Sequence, residues 1–90
     1  MSYVVLATHI EDEYEVVYSR KKQVTTELNG EKYRYFIPYD DSEPRYYSNA
    51  LHCMQGMLFL KEQLKKPVLN SNGEIQWVDI WELNIVKLSE

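Results

Sequence analysis

Few residues in this 90-residue chain can do acid–base, nucleophilic or metal chemistry. Its one cysteine, Cys53, follows His52; His9 is the other histidine; Asp40, Asp41 and Glu43 are the carboxylates that could gather a hard cation. Neighbours on a helix point about 100° apart, so His52 and Cys53 cannot share a metal unaided. The carboxylates lack the alternating ligand spacing of a calcium loop and suit the positive end of a helix dipole. Cys53 falls on the apolar side of a helix, where a small buried hydrophobe is its ordinary use. Neither histidine has a carboxylate at a telling spacing. Gly30, Gly56 and Gly73 are too scattered for a phosphate-binding loop. The expectation is a protein with no catalytic residues, no metal and no cofactor, and not an enzyme.

Two further patterns concern binding. Lys32-Tyr33-Arg34-Tyr35-Phe36 alternates basic and aromatic residues on a strand, as single-stranded nucleic-acid binders do. Tyr33 and Tyr35 fall on the side away from the basic residues, and the formal charge of −4 opposes a polyanion. Tyrosine is over-used, with 8 against 2 Phe and 2 Trp. It suits half-buried strands and recognition surfaces equally.

The element expected to organise the chain is one long helix from Ser42 to Lys66. Ser42 would cap it, Pro44 would sit in its first turn, and Pro67 would end it. Asp40, Asp41 and Glu43 would face its positive end, and Lys65 and Lys66 its negative end. A start at Ser48 is the alternative. Its apolar face would hold Tyr46, Tyr47, Ala50, Cys53, Met54, Met57, Leu58, Leu60 and Leu64, with Leu51 at the edge. The opposite face holds His52, Gln55, Gly56, Phe59 and Gln63. Phe59 is out of place there. It is read as the anchor of a protein-binding face, with His52, Gln55 and Gln63 around it.

The strands come next. Tyr3 to Ile10 and Tyr14 to Tyr18 are read as an antiparallel pair across the Glu11-Asp12-Glu13 turn. Val24 to Leu28 and Lys32 to Tyr39 flank Asn29-Gly30, the preferred pair for a two-residue type I′ turn. That turn sets Glu27 opposite Lys32, Thr26 opposite Tyr33, Thr25 opposite Arg34, Val24 opposite Tyr35 and Gln23 opposite Phe36, with Pro38 ending the strand. Asn70-Ser71-Asn72-Gly73 is a turn by composition. Glu74 to Leu88 is read as a short strand, a bend near Val78-Asp79 and a final strand from about Trp81. The fold class expected is α+β: one domain over residues 1–90, a mainly antiparallel sheet of four to six strands, one long helix packed on one face, order β-β-β-β-α-β(β).

Met1 to Ile10 lacks the basic and long apolar regions of a signal peptide, and no stretch approaches the roughly 20 apolar residues of a membrane span. A single cysteine excludes a disulfide framework, so a cytoplasmic setting is expected. The function expected is a small acidic binding module that docks on a protein partner, in the manner of the accessory and inhibitor proteins that phages and mobile elements encode. The alternative is a small-ligand or nucleotide binder with a Tyr/Arg-lined pocket, whose ligand residues the sequence does not identify. A third reading is single-stranded nucleic-acid binding through Lys32–Phe36. A homodimer is expected as one way to cover Phe59 and Phe36.

Overall fold

The computed structural model describes residues 2–40 and 43–88. The chain is α+β, with seven strands in antiparallel pairs and one helix, in the order β-β-β-β-α-β-β-β. Where one sheet was expected, the strands divide into three. One contains β1 (Ser2–His9), β2 (Glu15–Val17) and β7 (Trp81–Leu88), in the order β2-β1-β7. The second is the hairpin of β3 (Arg20–Leu28) and β4 (Glu31–Tyr39), and the third the hairpin of β5 (Lys65–Leu69) and β6 (Ile75–Asp79).

β1 is central, as its contiguous apolar run implies. β7 pairs with it along its whole length, from Ser2↔Leu88 to His9↔Trp81. β2 pairs over Leu6↔Val17 to Thr8↔Glu15. The odd-numbered side of this sheet carries Val5, Ala7 and Trp81, and the helix α1 (Ala50–Gln63) lies on it. Cys53, Leu60 and Leu64 complete the buried cluster, with Tyr18 closing one end. Burying a side chain of this size stabilises by about 1.5–3 kcal/mol, so a core this small leaves little to spare.

The helix is shorter than its sequence pattern predicts. Asn49 caps it, its Oδ1 accepting from the His52 N–H at 2.8 Å. Ser42 and Asp41 lie outside the described residues, and Pro44 and Tyr46 precede the helix. Tyr47 is held instead as a strand-like residue, exchanging backbone hydrogen bonds of 2.9 Å with Tyr3. That pairing fixes the segment before Asn49 against β1, so the helix cannot begin earlier. The Ser48 start was close. No acidic residue occupies the first turn, and Lys65 and Lys66 belong to β5, leaving Lys61 as the basic residue of the last turn. β5 has no signature in the sequence, because Lys65-Lys66-Pro67 has the make-up of a helix end. Pro67 sits inside that strand, buried.

The β3–β4 register agrees with the turn argument at every predicted pair. Asn29 and Gly30 have φ of 52° and 79°, as a type I′ turn requires. Pro38 does not end β4, which continues to Tyr39; with a ladder on only one side, the missing N–H can face the open edge. The break at Ile80 separates β6 from β7 as expected, and Asp79 ends β6 exposed, 4.0 Å from Lys65 Nζ. The molecule is elongated, with extents of 49 × 23 × 21 Å.

Two glycines carry testable weight. Replacing Gly30 by Val should lower stability by about 1 kcal/mol or more, because a β-branched residue resists positive φ; an unchanged Tm would contradict the turn. At Gly56 a Cβ would lie 2.7 Å from Tyr47 Oη and 3.0 Å from Cζ. Gly56→Ala should therefore lower Tm despite its better helix propensity. In a Tyr47→Ser background the sign should reverse, to a gain of about 0.5–1 kcal/mol.

Candidate functional site

α1 buries only a narrow stripe. Cys53, Leu60 and Leu64 are turned into the core and Met57 is half-buried beside them. Tyr46 (54% exposed), Met54 (45%) and Leu58 (55%), expected on the apolar face, and Leu51 (61%), expected at its edge, are at the surface. A three-stranded sheet offers the helix a contact one side chain wide, so residues near the margin of the apolar half stay outside. Ala50 is exposed too.

Phe59 is 65% exposed, and among the described residues no loop covers it. Gln55 and His52 are exposed on the same outer flank. His52 lies against the cap residue, Nδ1 3.2 Å from Asn49 Nδ2. Gln63 is set apart from these three: it is half-buried, and its Oε1 accepts from Lys21 Nζ of β3. The structure thus gathers His52, Gln55 and Phe59 on one surface and gives Gln63 to the junction between helix and hairpin. Leu51, Met54 and Leu58 continue the exposed apolar surface around the helix, a contribution that the wheel could not show without knowing the sheet's width.

That junction opens into a groove of about 310 Å³ between β4, β5, β6 and the end of α1. Phe36 and Trp77 stand at the surface beside it, with Arg34, Lys65, Glu62 and Gln63 as its polar groups. Lys21 Nζ lies 5.1 Å from the centre of the Phe36 ring, and Lys66 Nζ lies 6.0 Å from that of Tyr35. Arg20 and Lys22 both lie 5.3 Å from the Tyr39 ring. Cations of the chain itself therefore already stand over these hairpin rings, which weakens the case for base stacking along Lys32–Phe36.

His9, His52 and Cys53 are kept apart, but His9 has a carboxylate that the sequence spacing did not suggest: the exposed Asp12 Oδ2 lies 3.6 Å from its Nδ1. His9 stacks on Tyr14 with centroids 5.2 Å apart and meets Trp81 edge-on at 5.0 Å. Its Nδ1 accepts from the Asp12 N–H at 3.1 Å. His52 is on the outer helix flank. Cys53 is fully buried beneath it, and burial pushes its thiol up from the ordinary value. Among the described residues no group of three or more His, Cys, Asp or Glu side chains could hold a metal ion, and no helix is long and apolar enough to cross a membrane. Compared with known protein families, with characterised proteins and with solved structures, the chain matches none.

The buried thiol has a measurable consequence. Burial raises Cys53, and it raises the Tyr18 phenol too, with a smaller push from Tyr47 and an opposing pull from Arg45. Both groups are neutral when protonated and ionise more readily in the unfolded chain. Their contribution to stability is complete below the ordinary thiol range and is lost as pH rises through about 9 and beyond. Tm should hold steady from neutrality to about pH 8.5 and then fall, with a shallower fall in Cys53→Ala. Identical slopes, or rapid thiol modification of the folded protein, would contradict the burial of Cys53.

Proposed function

We propose that this chain is a non-catalytic binding module that docks on a protein partner through the outer flank of α1. The observation that carries the reading is Phe59, a large aromatic side chain left 65% exposed at mid-helix. An exposed aromatic with polar neighbours, here Gln55 and His52, has the make-up of an interface anchor and its rim. The partner would offer an apolar recess for Phe59 and polar groups at its edge. The work of accessory and inhibitor proteins needs nothing further. The chain's charge of −4 argues against a polyanionic partner and for a protein one.

The groove beside Phe36 and Trp77 supports a second reading, a small-ligand site. Paired aromatic rings and convergent Arg34 and Lys65 suit a planar, anionic molecule. Its volume is at the lower end of the range for such sites, about 300–1,000 Å³. The helix flank is the better supported, because Phe59 is more exposed, at 65%, than Trp77 at 47% or Phe36 at 36%.

The two readings separate on substitution. Phe59→Ala should leave Tm within about 0.5 kcal/mol of the parent, as a surface change does, while binding of the captured partner weakens by about 2 kcal/mol or more. The measurement is thermal melting beside affinity capture from the native host with the tagged protein. A stability loss of about 3 kcal/mol would return Phe59 to the core. Capture lost on Trp77→Ala and not on Phe59→Ala would move the site to the groove.

A further inference from the structure

β7 is the outer strand of its sheet, and among the described residues no strand pairs with its far edge. It is eight residues long and contains neither proline nor glycine. Its pairing to β1 runs without a bulge. The opposite edge strand, β2, has only three residues. Long, regular edges are normally blunted, because their N–H and C=O groups template pairing with another chain.

The exposed apolar stripe of Leu51, Met54 and Leu58 reaches this strand at Leu58. Met57, Leu58 and Lys61 line one groove with Trp81, Glu82 and Leu83 of β7 and Asp79 before them. The other side of α1 faces away, with Gly56 against Tyr47 and Gln63 against Lys21 of β3. An open strand edge and an exposed helical stripe thus form one continuous strip.

We propose that this strip docks a second copy of the chain, β7 pairing antiparallel with its counterpart to give a six-stranded sheet with both helices on one face. A two-fold axis perpendicular to the sheet does this, since it leaves the two faces unexchanged. Residues directly opposite in an antiparallel pair share a face. Centring the axis at Asn84 sets Leu83 opposite Ile85 of the other copy, both on the helix side.

The same axis serves the helices. α1 runs antiparallel to β7, because Tyr47, before its start, pairs with Tyr3, which lies opposite Lys87. Leu58 shares its groove with Trp81, Glu82 and Leu83. The two-fold that relates the strands also relates the helices, so each copy's exposed stripe is turned toward the other's.

Area and charge agree. A strand of about 26 Å beside a helix of about 21 Å, two layers deep at roughly 10 Å each, presents about 500 Å² per copy in projection. Two copies reach the threshold of about 1,000 Å² for a specific interface. In this register Glu82 stands opposite Val86 and Lys87 opposite Trp81 of the other copy, so no like charges face each other across the seam. Phe59, on the far flank of α1, stays free for the proposed partner.

Sedimentation equilibrium and hydrogen exchange test this together. The expected result is a dimer of twice the 10.8 kDa chain mass, with alternate β7 amides protected at high concentration and exposed on dilution. Leu58→Asp alters a side chain already at the surface of the single chain, so it should fold. It should weaken the dimer at least about hundredfold and release the β7 amides, since the charge is introduced on both copies. Phe59→Ala should leave the dimer unchanged. A monomer at every concentration overturns the proposal, as does a dimer indifferent to Leu58→Asp, or β7 protection that appears only when a different polypeptide is added. None of these outcomes bears on partner capture through Phe59.

Discussion

The structure depends on the burial of one strand. Val5 and Ala7 of β1 are completely covered, by β2 and β7 at the sides and by Cys53, Leu60 and Leu64 from above. Tyr47 adds a further backbone pairing at Tyr3. β2, β7 and α1 pack on β1 directly, and the β3–β4 hairpin reaches it through β2. Removing that contact would leave two hairpins and a helix of 14 residues, a length at which isolated helices and two-stranded ribbons are marginal in water.

The small size of that core explains the surface. A helix packed across three strands, one of them only three residues long, can bury one row of side chains. The other apolar residues of α1 have nowhere to go. The hairpins meet the same problem differently. β3 and β4 hold their aromatic rings beside Lys21, Lys22, Arg20 and Lys66, so that cations shelter the rings without a second layer of structure. Each such contact at an exposed site contributes about 0.5–1 kcal/mol. Trp81 shows the limit of this economy: its ring is packed by His9 and Tyr14, yet among the described residues its buried Nε1 has no hydrogen-bond partner. Such an orphan costs about 1–3 kcal/mol, which the packing of the ring must offset.

The parts legible in the sequence were those with local causes. Asn29-Gly30 settled the hairpin register, because positive φ at both residues permits few alternatives. The break before Trp81 showed as a change of phase. Cys53 read as buried from its place on the wheel. What could not be read had tertiary causes. The start of α1 is set by the pairing of Tyr47 with Tyr3, some forty residues away, and Tyr47 on a helical wheel looks like an ordinary apolar position. β5 was hidden because two lysines and a proline after a helix satisfy the rules for its end. Its strand character comes from pairing with β6, as in Pro67↔Trp77. Gly56 looked incidental, and its reason is the Tyr47 ring packed against it.

The candidate site follows the same division. The wheel separates Phe59 from the buried stripe by more than 90°, so its exposure is a consequence of geometry local to the helix. Met54 and Leu58 lie on the other side of the stripe, roughly 100° and 140° round from it, so the sheet beneath does not reach them either. What separates them from Phe59 is direction: they are on the side of β7, the last strand of its sheet. A second copy beside that strand would add a helix as well as a strand and would cover Met54 and Leu58 with no change in α1, so their apolar character and the open edge of β7 answer one another.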